Sequence, residues 1–137
     1  MTSPLEHLEA SGQLLPEPFD SREYAGLVAS GRTRLSDAET PGLSLQSRFD
    51  LAYNSAHALC LAALRRTGFR PANRYIVIQA LPHTLGLGPE VWRVLAMAHQ
   101  RRNDAEYEGF VDVEGRLVED LITSGRAVET ALNALAS

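Results

Sequence analysis

The stretch SLQSRFDLAYNSAHALCLAALRR, residues 44–66, decides how the rest of the chain is read. A helix is expected from Ser44 to about Arg66, with apolar residues that fall on two helical stripes. Leu45, Phe49, Ala52, Ala56, Leu59, Cys60 and Ala63 make one stripe, and Leu51, Ala58, Leu61 and Ala62 the other. After Asp50 the helix is apolar nearly all round, the pattern of a helix at the centre of a bundle. Leu51 to Leu64 is therefore the segment expected to be most buried. Asn54 and His57 interrupt it, and each needs a hydrogen-bond partner if buried. A satisfied core polar group and a ligand-binding residue are both open to them.

Outward from this centre the chain reads as helices. Pro4 to Ala10 is a short one, capped by Ser3 and stopped by Gly12. Leu14 to Pro18 reads as a turn or extended connector. A second helix starts at Asp20 or Ser21 and runs to about Ala38, with Gly26 and Gly31 either weakening it or marking close packing. Thr40-Pro41-Gly42 breaks the chain, and Thr67 to Pro71 ends the central helix. Asn73 or the residues just before it cap a fourth helix with Tyr75, Ile76, Ile78 and Leu81; Tyr75 to Ile78 suit a strand locally, but no second strand offers itself. Pro82 to Pro89 is a connector. A fifth helix spans Pro89 to Glu108, and a sixth runs from about Glu114 to Ala136 after the break at Gly109-Phe110-Val111-Asp112. The expectation is an all-α, antiparallel bundle of four to five main helices in one domain over residues 1–137. Residues 1–19 supply a short helix and connector, and residues 20–137 the bundle.

Charge is spread unevenly over the 137 residues, whose net value is -4. Between Leu51 and Arg102 lie seven arginines (Arg65, Arg66, Arg70, Arg74, Arg93, Arg101, Arg102) and one acid, Glu90. A basic middle between acidic flanks suits RNA, an acidic partner, or neutralisation by the chain's own ends. The single cysteine, Cys60, excludes a disulfide framework and a Cys-based zinc site, and its apolar setting makes it a small buried hydrophobe. No apolar run reaches membrane-span length and the N-terminus lacks signal-peptide order, so the default location is the cytoplasm, with no membrane partner.

One later helix face is unusual. Val91, Leu95 and Ala98 form a stripe that, continued, reaches Arg102 and Ala105. A guanidinium thus stands where a core side chain belongs, and a half-buried arginine must face a carboxylate, a phosphate or several carbonyls. Asn103 and Glu106 point near it, with Tyr107 one turn beyond Asn103. The plain alternative is an Arg102–Glu106 surface pair, with Tyr107 plugging the helix end before Gly109.

Most site chemistries are absent. There is no Glu-x-x-His, no His-Glu-x-x-His, no phosphate loop and no Gly-x-Ser-x-Gly. His7, His57, His83 and His99 have no metal-ligand spacing, so neither metal nor cofactor is expected.

Ala52-Tyr53-Asn54-Ser55-Ala56-His57-Ala58 and Arg102-Asn103-Asp104-Ala105-Glu106-Tyr107 together resemble the two motifs of HEPN proteins. In that family a central apolar helix carries Ala-Tyr-x-x-x-His-Ala, and a later helix carries Arg-polar followed by His. The resemblance covers roughly Ser21 to Tyr107. It implies a homodimer with the Arg102 helices near the two-fold axis, and metal-independent endoribonuclease activity or, in other members, RNA or nucleotide binding. It also implies a nucleotidyltransferase or antitoxin as partner. The chain departs from the nuclease pattern because Tyr107 holds the histidine position, and a phenol of pKa about 10 is a poor base at neutral pH. Arg102 and Tyr107 are the candidates for chemistry. Asn103, Glu106, Arg101, His99, Asn54 and His57 are the candidates for binding. Three functions stay open: a non-catalytic or weakly active RNA- or nucleotide-binding module, an endoribonuclease toxin drawing on His99 or His57, and a structural dimerising bundle.

Overall fold

The computed structural model describes residues 3–109 and 112–135. The expected helix end at Ala136, the Phe110-Val111 part of the expected break, and Met1 and Thr2 lie outside them. The elements are α1 (Pro4–Ala10), β1 (Leu14–Pro16), α2 (Ser21–Ala38), α3 (Leu45–Arg65), β2 (Phe69–Pro71), α4 (Arg74–Gln79), α5 (Leu81–Thr84), α6 (Pro89–Glu108) and α7 (Gly115–Leu135). The fold is all-α, with four long helices and three short ones among the described residues. None of these helices is long and apolar enough to cross a membrane.

The helix starts follow side-chain chemistry. Ser3, Asp20, Ser44 and Asn73 each accept a backbone N–H from the first turn of the helix they precede. Such a cap contributes about 1 kcal/mol. α6 opens on Pro89 and closes on Gly109, whose φ of 81° suits a residue without Cβ.

α3 is the centre of the bundle. α2 and α7 pack along it, and α4, α5 and α6 cover another side. Phe49, Ala52, Leu59, Ala62 and Leu64 are fully buried, joined from other helices by Leu35, Leu81, Val118, Leu121 and Val128. Gly31 marks the closest approach of α2: a Cβ there would lie 2.6 Å from the Leu59 side chain, and its carbonyl accepts the buried Ser55 hydroxyl at 2.6 Å. Gly26, by contrast, faces open space.

Two local expectations need correction. Leu14 to Pro16, expected as a connector, pairs antiparallel with Phe69 to Pro71 in the register Leu14↔Pro71, Leu15↔Arg70 and Pro16↔Phe69. The pair is held from below by Arg65 at the end of α3. Its guanidinium donates to Glu23 at 2.6 Å and to the carbonyls of Glu17, Pro18 and Phe69 at 3.2, 2.8 and 2.9 Å. Within the expected Pro82–Pro89 connector, residues up to Thr84 belong to a short helix that begins at Leu81. Tyr75 to Ile78, locally compatible with a strand, are helical because Asn73 caps them and Ile76, Val77 and Ile78 bury against the core.

Candidate functional site

α3, α4 and α6 meet at Tyr53. Its ring is 2% exposed, so its hydroxyl must find partners among side chains. It finds His99 of α6, with 3.0 Å between the hydroxyl and Nδ1. The other ring nitrogen of His99 lies 3.2 Å from the Asn103 side-chain nitrogen, one turn further along α6. With the amide placed so, Asn103 donates to Nε2, Nδ1 carries the proton, and Tyr53 accepts it. The amide turned over gives the other consistent chain, in which Tyr53 donates to Nδ1 and Nε2–H donates to the Asn103 carbonyl. Either way both imidazole nitrogens are engaged.

Two guanidiniums frame this chain of polar groups. Arg102 lies over the Tyr53 ring, its central carbon 5.3 Å from the ring centroid, and 3.9 Å from an Asp50 oxygen. Arg74, at the start of α4, comes up beside the Tyr53 hydroxyl and has no carboxylate partner among the described residues. The Tyr75 ring stands 5.1 Å from that of His99. Burial raises the Tyr53 hydroxyl above its ordinary pKa, with Arg74 and Arg102 opposing. Burial lowers His99, Arg74 lowers it further, and Glu106 works against both. The imidazole is thus held neutral at neutral pH.

His57 lies one turn beyond Tyr53 on α3, its Nε2 buried without a hydrogen-bond partner among the described residues. Burial first, then Arg74, His99 and Arg102, push its pKa down to about 4. It lines a cavity with Tyr53, Ala56, Cys60, Ile78 and Leu95 that leaves about 10 Å³ for the centre of a water-sized sphere. That is close to the minimum for one water. The Cys60 thiol, wholly buried, is pushed up to about 12, in keeping with a small inert hydrophobe.

Of the expected site residues, the structure brings Arg102, Asn103, His99 and His57 into one cluster, with Glu106 bearing on His99. Asn54 is half-buried on α3 without a side-chain hydrogen bond among the described residues. Arg101 points elsewhere, donating to the Asp112 carbonyl at 2.9 Å and lying 3.8 Å from Glu114. Tyr107 is 92% exposed, because residues 106–109 project beyond the packed part of α6. It does not plug the helix end, and Arg102 pairs with Asp50 rather than Glu106. The arginine stripe has its physical reason within the chain: the guanidinium caps an aromatic face.

Tyr53 and Arg74 complete the cluster and were not picked out as site residues from sequence, and they are joined by Tyr75, which with Trp92 is one of the few aromatics the sequence sets beside the arginines. A signal existed for Tyr53, since a phenol inside an apolar helix must satisfy its hydroxyl. None existed for Arg74, whose position depends on how α4 crosses α3. The basic middle is partly consumed by the fold. Arg65 is held by Glu23 and Glu17, and Arg66 donates to the Leu135 carbonyl at the end of α7. Among the described residues no group of three or more His, Cys, Asp or Glu side chains is placed to hold a metal ion. No family model, no curated protein and no solved structure matches this chain.

Proposed function

We propose that the chain is a HEPN-like module that binds RNA or a nucleotide through a phosphate, without cutting it or cutting it only weakly. One observation carries the reading: Arg74 and Arg102 converge on the Tyr53–His99–Asn103 chain, and Arg74 has no carboxylate partner among the described residues. Arg102 holds Asp50 only at 3.9 Å, at a partly exposed position where a pair contributes about 0–1 kcal/mol. A phosphate displaces such a partner readily. The engaged state of both His99 nitrogens favours binding over catalysis, since a general base needs a free lone pair facing the substrate proton. On the endoribonuclease alternative, His99 would have to release Asn103 or Tyr53 first. On the structural-bundle alternative Arg74 would serve only the buried Tyr53 hydroxyl, to which it hydrogen-bonds.

Asp50 and Glu106 also bear on the cluster, so its net charge is small and its affinity modest. Binding is expected to weaken with salt, as phosphate contacts release counterions. Arg102→Ala tests the reading. It should lower stability by only about 1 kcal/mol, the sum of a loose pair and a cation–π contact. It should weaken binding of a short labelled RNA about tenfold, the effect of one charged hydrogen bond. Fluorescence anisotropy across a salt series and thermal melts give both numbers. A variant that melts like the wild type and binds RNA unchanged rejects the reading.

The resemblance adds a homodimer to this proposal, and a nucleotidyltransferase or antitoxin as partner. Exposed Met97 and Tyr107 on α6 are apolar surface that a second copy would cover. Light scattering at micromolar concentration should give twice the chain mass; a monomer removes the dimer from the proposal.

A further inference from the structure

We propose that Tyr75 is a stacking platform for an unpaired base, so that the ligand of the site is a single-stranded oligonucleotide. The inference rests on the phosphate-binding reading and extends it to the class of nucleic acid.

Tyr75 is an anomaly within α4. The three residues after it, Ile76, Val77 and Ile78, are at most 3% exposed, whereas Tyr75 is 37% exposed. An aromatic ring left partly open at a helix start is ordinarily free to move. Here the ring is held against His99, with centroids 5.1 Å apart and planes inclined by 35°. His99 is itself fixed through both nitrogens. The exposed part of the ring is therefore presented by a braced support, and a base stacking on it meets little ordering cost. Its chain neighbour is Arg74, whose guanidinium lies beside the Tyr53 hydroxyl, the same hydroxyl that bonds His99. A cation and an aromatic surface stand on adjacent residues, both tied to the Tyr53–His99 pair.

That juxtaposition matches one nucleotide unit, a phosphate followed by a flat base. Aromatic stacking of this kind tolerates any base, since every base has a π-face. It demands that the base be unstacked from its own neighbours, which a duplex forbids. The site would accordingly read strandedness rather than sequence.

The experiment compares three labelled ligands of equal length: a single-stranded oligouridylate, an abasic single strand with the same phosphates, and a duplex. Each is titrated into wild type, Tyr75→Ala, Tyr75→Trp and Arg74→Gln, with circular-dichroism melts to verify folding. Tyr75 is partly exposed and outside the core, so its variants should fold. The wild type should bind the oligouridylate about tenfold more tightly than the abasic strand or the duplex. Tyr75→Ala should erase that difference and leave the abasic affinity unchanged, while Tyr75→Trp should keep it. Arg74→Gln should weaken both single strands alike. If Arg74→Gln weakens both strands and Tyr75→Ala changes neither, stacking is overturned and the phosphate site stands. If Arg74→Gln changes nothing, or the wild type binds no strand, both readings fall. Duplex binding as tight as single-strand binding also overturns the inference.

Discussion

Replacing Arg65 with alanine should destabilise the fold by about 3–5 kcal/mol, the largest loss expected from any single charged side chain among the described residues. Arg65 is 3% exposed and its guanidinium is shared among Glu23, Glu17 and three backbone carbonyls. Those carbonyls belong to Glu17 and Pro18, which follow β1, and to Phe69, the first residue of β2. Removing the side chain leaves them without donors and opens a void at the end of α3. Lysine retains one charge but cannot reach acceptors in so many directions, so Arg65→Lys should recover less than half of the loss. Urea unfolding measures both variants. A midpoint for Arg65→Ala within about 0.5 kcal/mol of the wild type would mean the two short strands hold together without this anchor.

Acid should loosen the middle of α3 through His57. Its folded pKa of about 4 lies below the ordinary value of 6.5, so the unfolded chain takes the proton first. The stabilising effect of a neutral His57 is thus complete above about pH 6.5 and is lost as pH falls toward 4. The full change is about 3 kcal/mol. The groups facing His57 all oppose a second positive charge or offer it nothing: Arg74 from α4, His99 and Arg102 from α6, and the Tyr53 ring from its own helix. His57→Leu fills the same space without a titrating nitrogen. Its stability should change less than that of the wild type between pH 6.5 and 4.5, with His99 contributing to the slope that remains. Parallel pH profiles for the two proteins would contradict this account of His57.

The long helices were legible because their boundaries are written in local chemistry. Ser3 and Asn73 were readable as caps and Asp20 and Ser44 as helix starts, and all four side chains accept first-turn N–H groups. The central helix was readable from its all-round apolar pattern, and Phe49, Leu59 and Leu64 are all fully buried. The two strands were not legible. Three residues each carry no periodicity, and what pairs them is a side chain reaching from Arg65 to a segment 47 positions earlier. Half of the site was legible for a related reason. Arg102, Asn103 and His99 lie on one face of one helix, so spacing alone groups them. Arg74, Tyr75 and Tyr53 join them only through the crossing of α4, α6 and α3, and helical spacing within one element says nothing of that. The expected Arg102–Glu106 pair failed for the same reason: Asp50, on another helix, was nearer.

On the proposed function, nucleic acid binds at the Tyr53–His99–Asn103 chain between Arg74 and Arg102. The four histidines of the chain provide the most direct test, because they report from different places: His99 and His57 from the cluster, His7 from α1 and His83 from α5. Imidazole nitrogen and carbon-bound proton resonances are followed by NMR as a short oligouridylate is titrated in at neutral pH. His99 signals should shift in proportion to saturation, His57 should follow weakly, and His7 and His83 should stay where they are. A saturating titration that moves His7 or His83 and leaves His99 unchanged would contradict this, as would the absence of any shift at millimolar ligand.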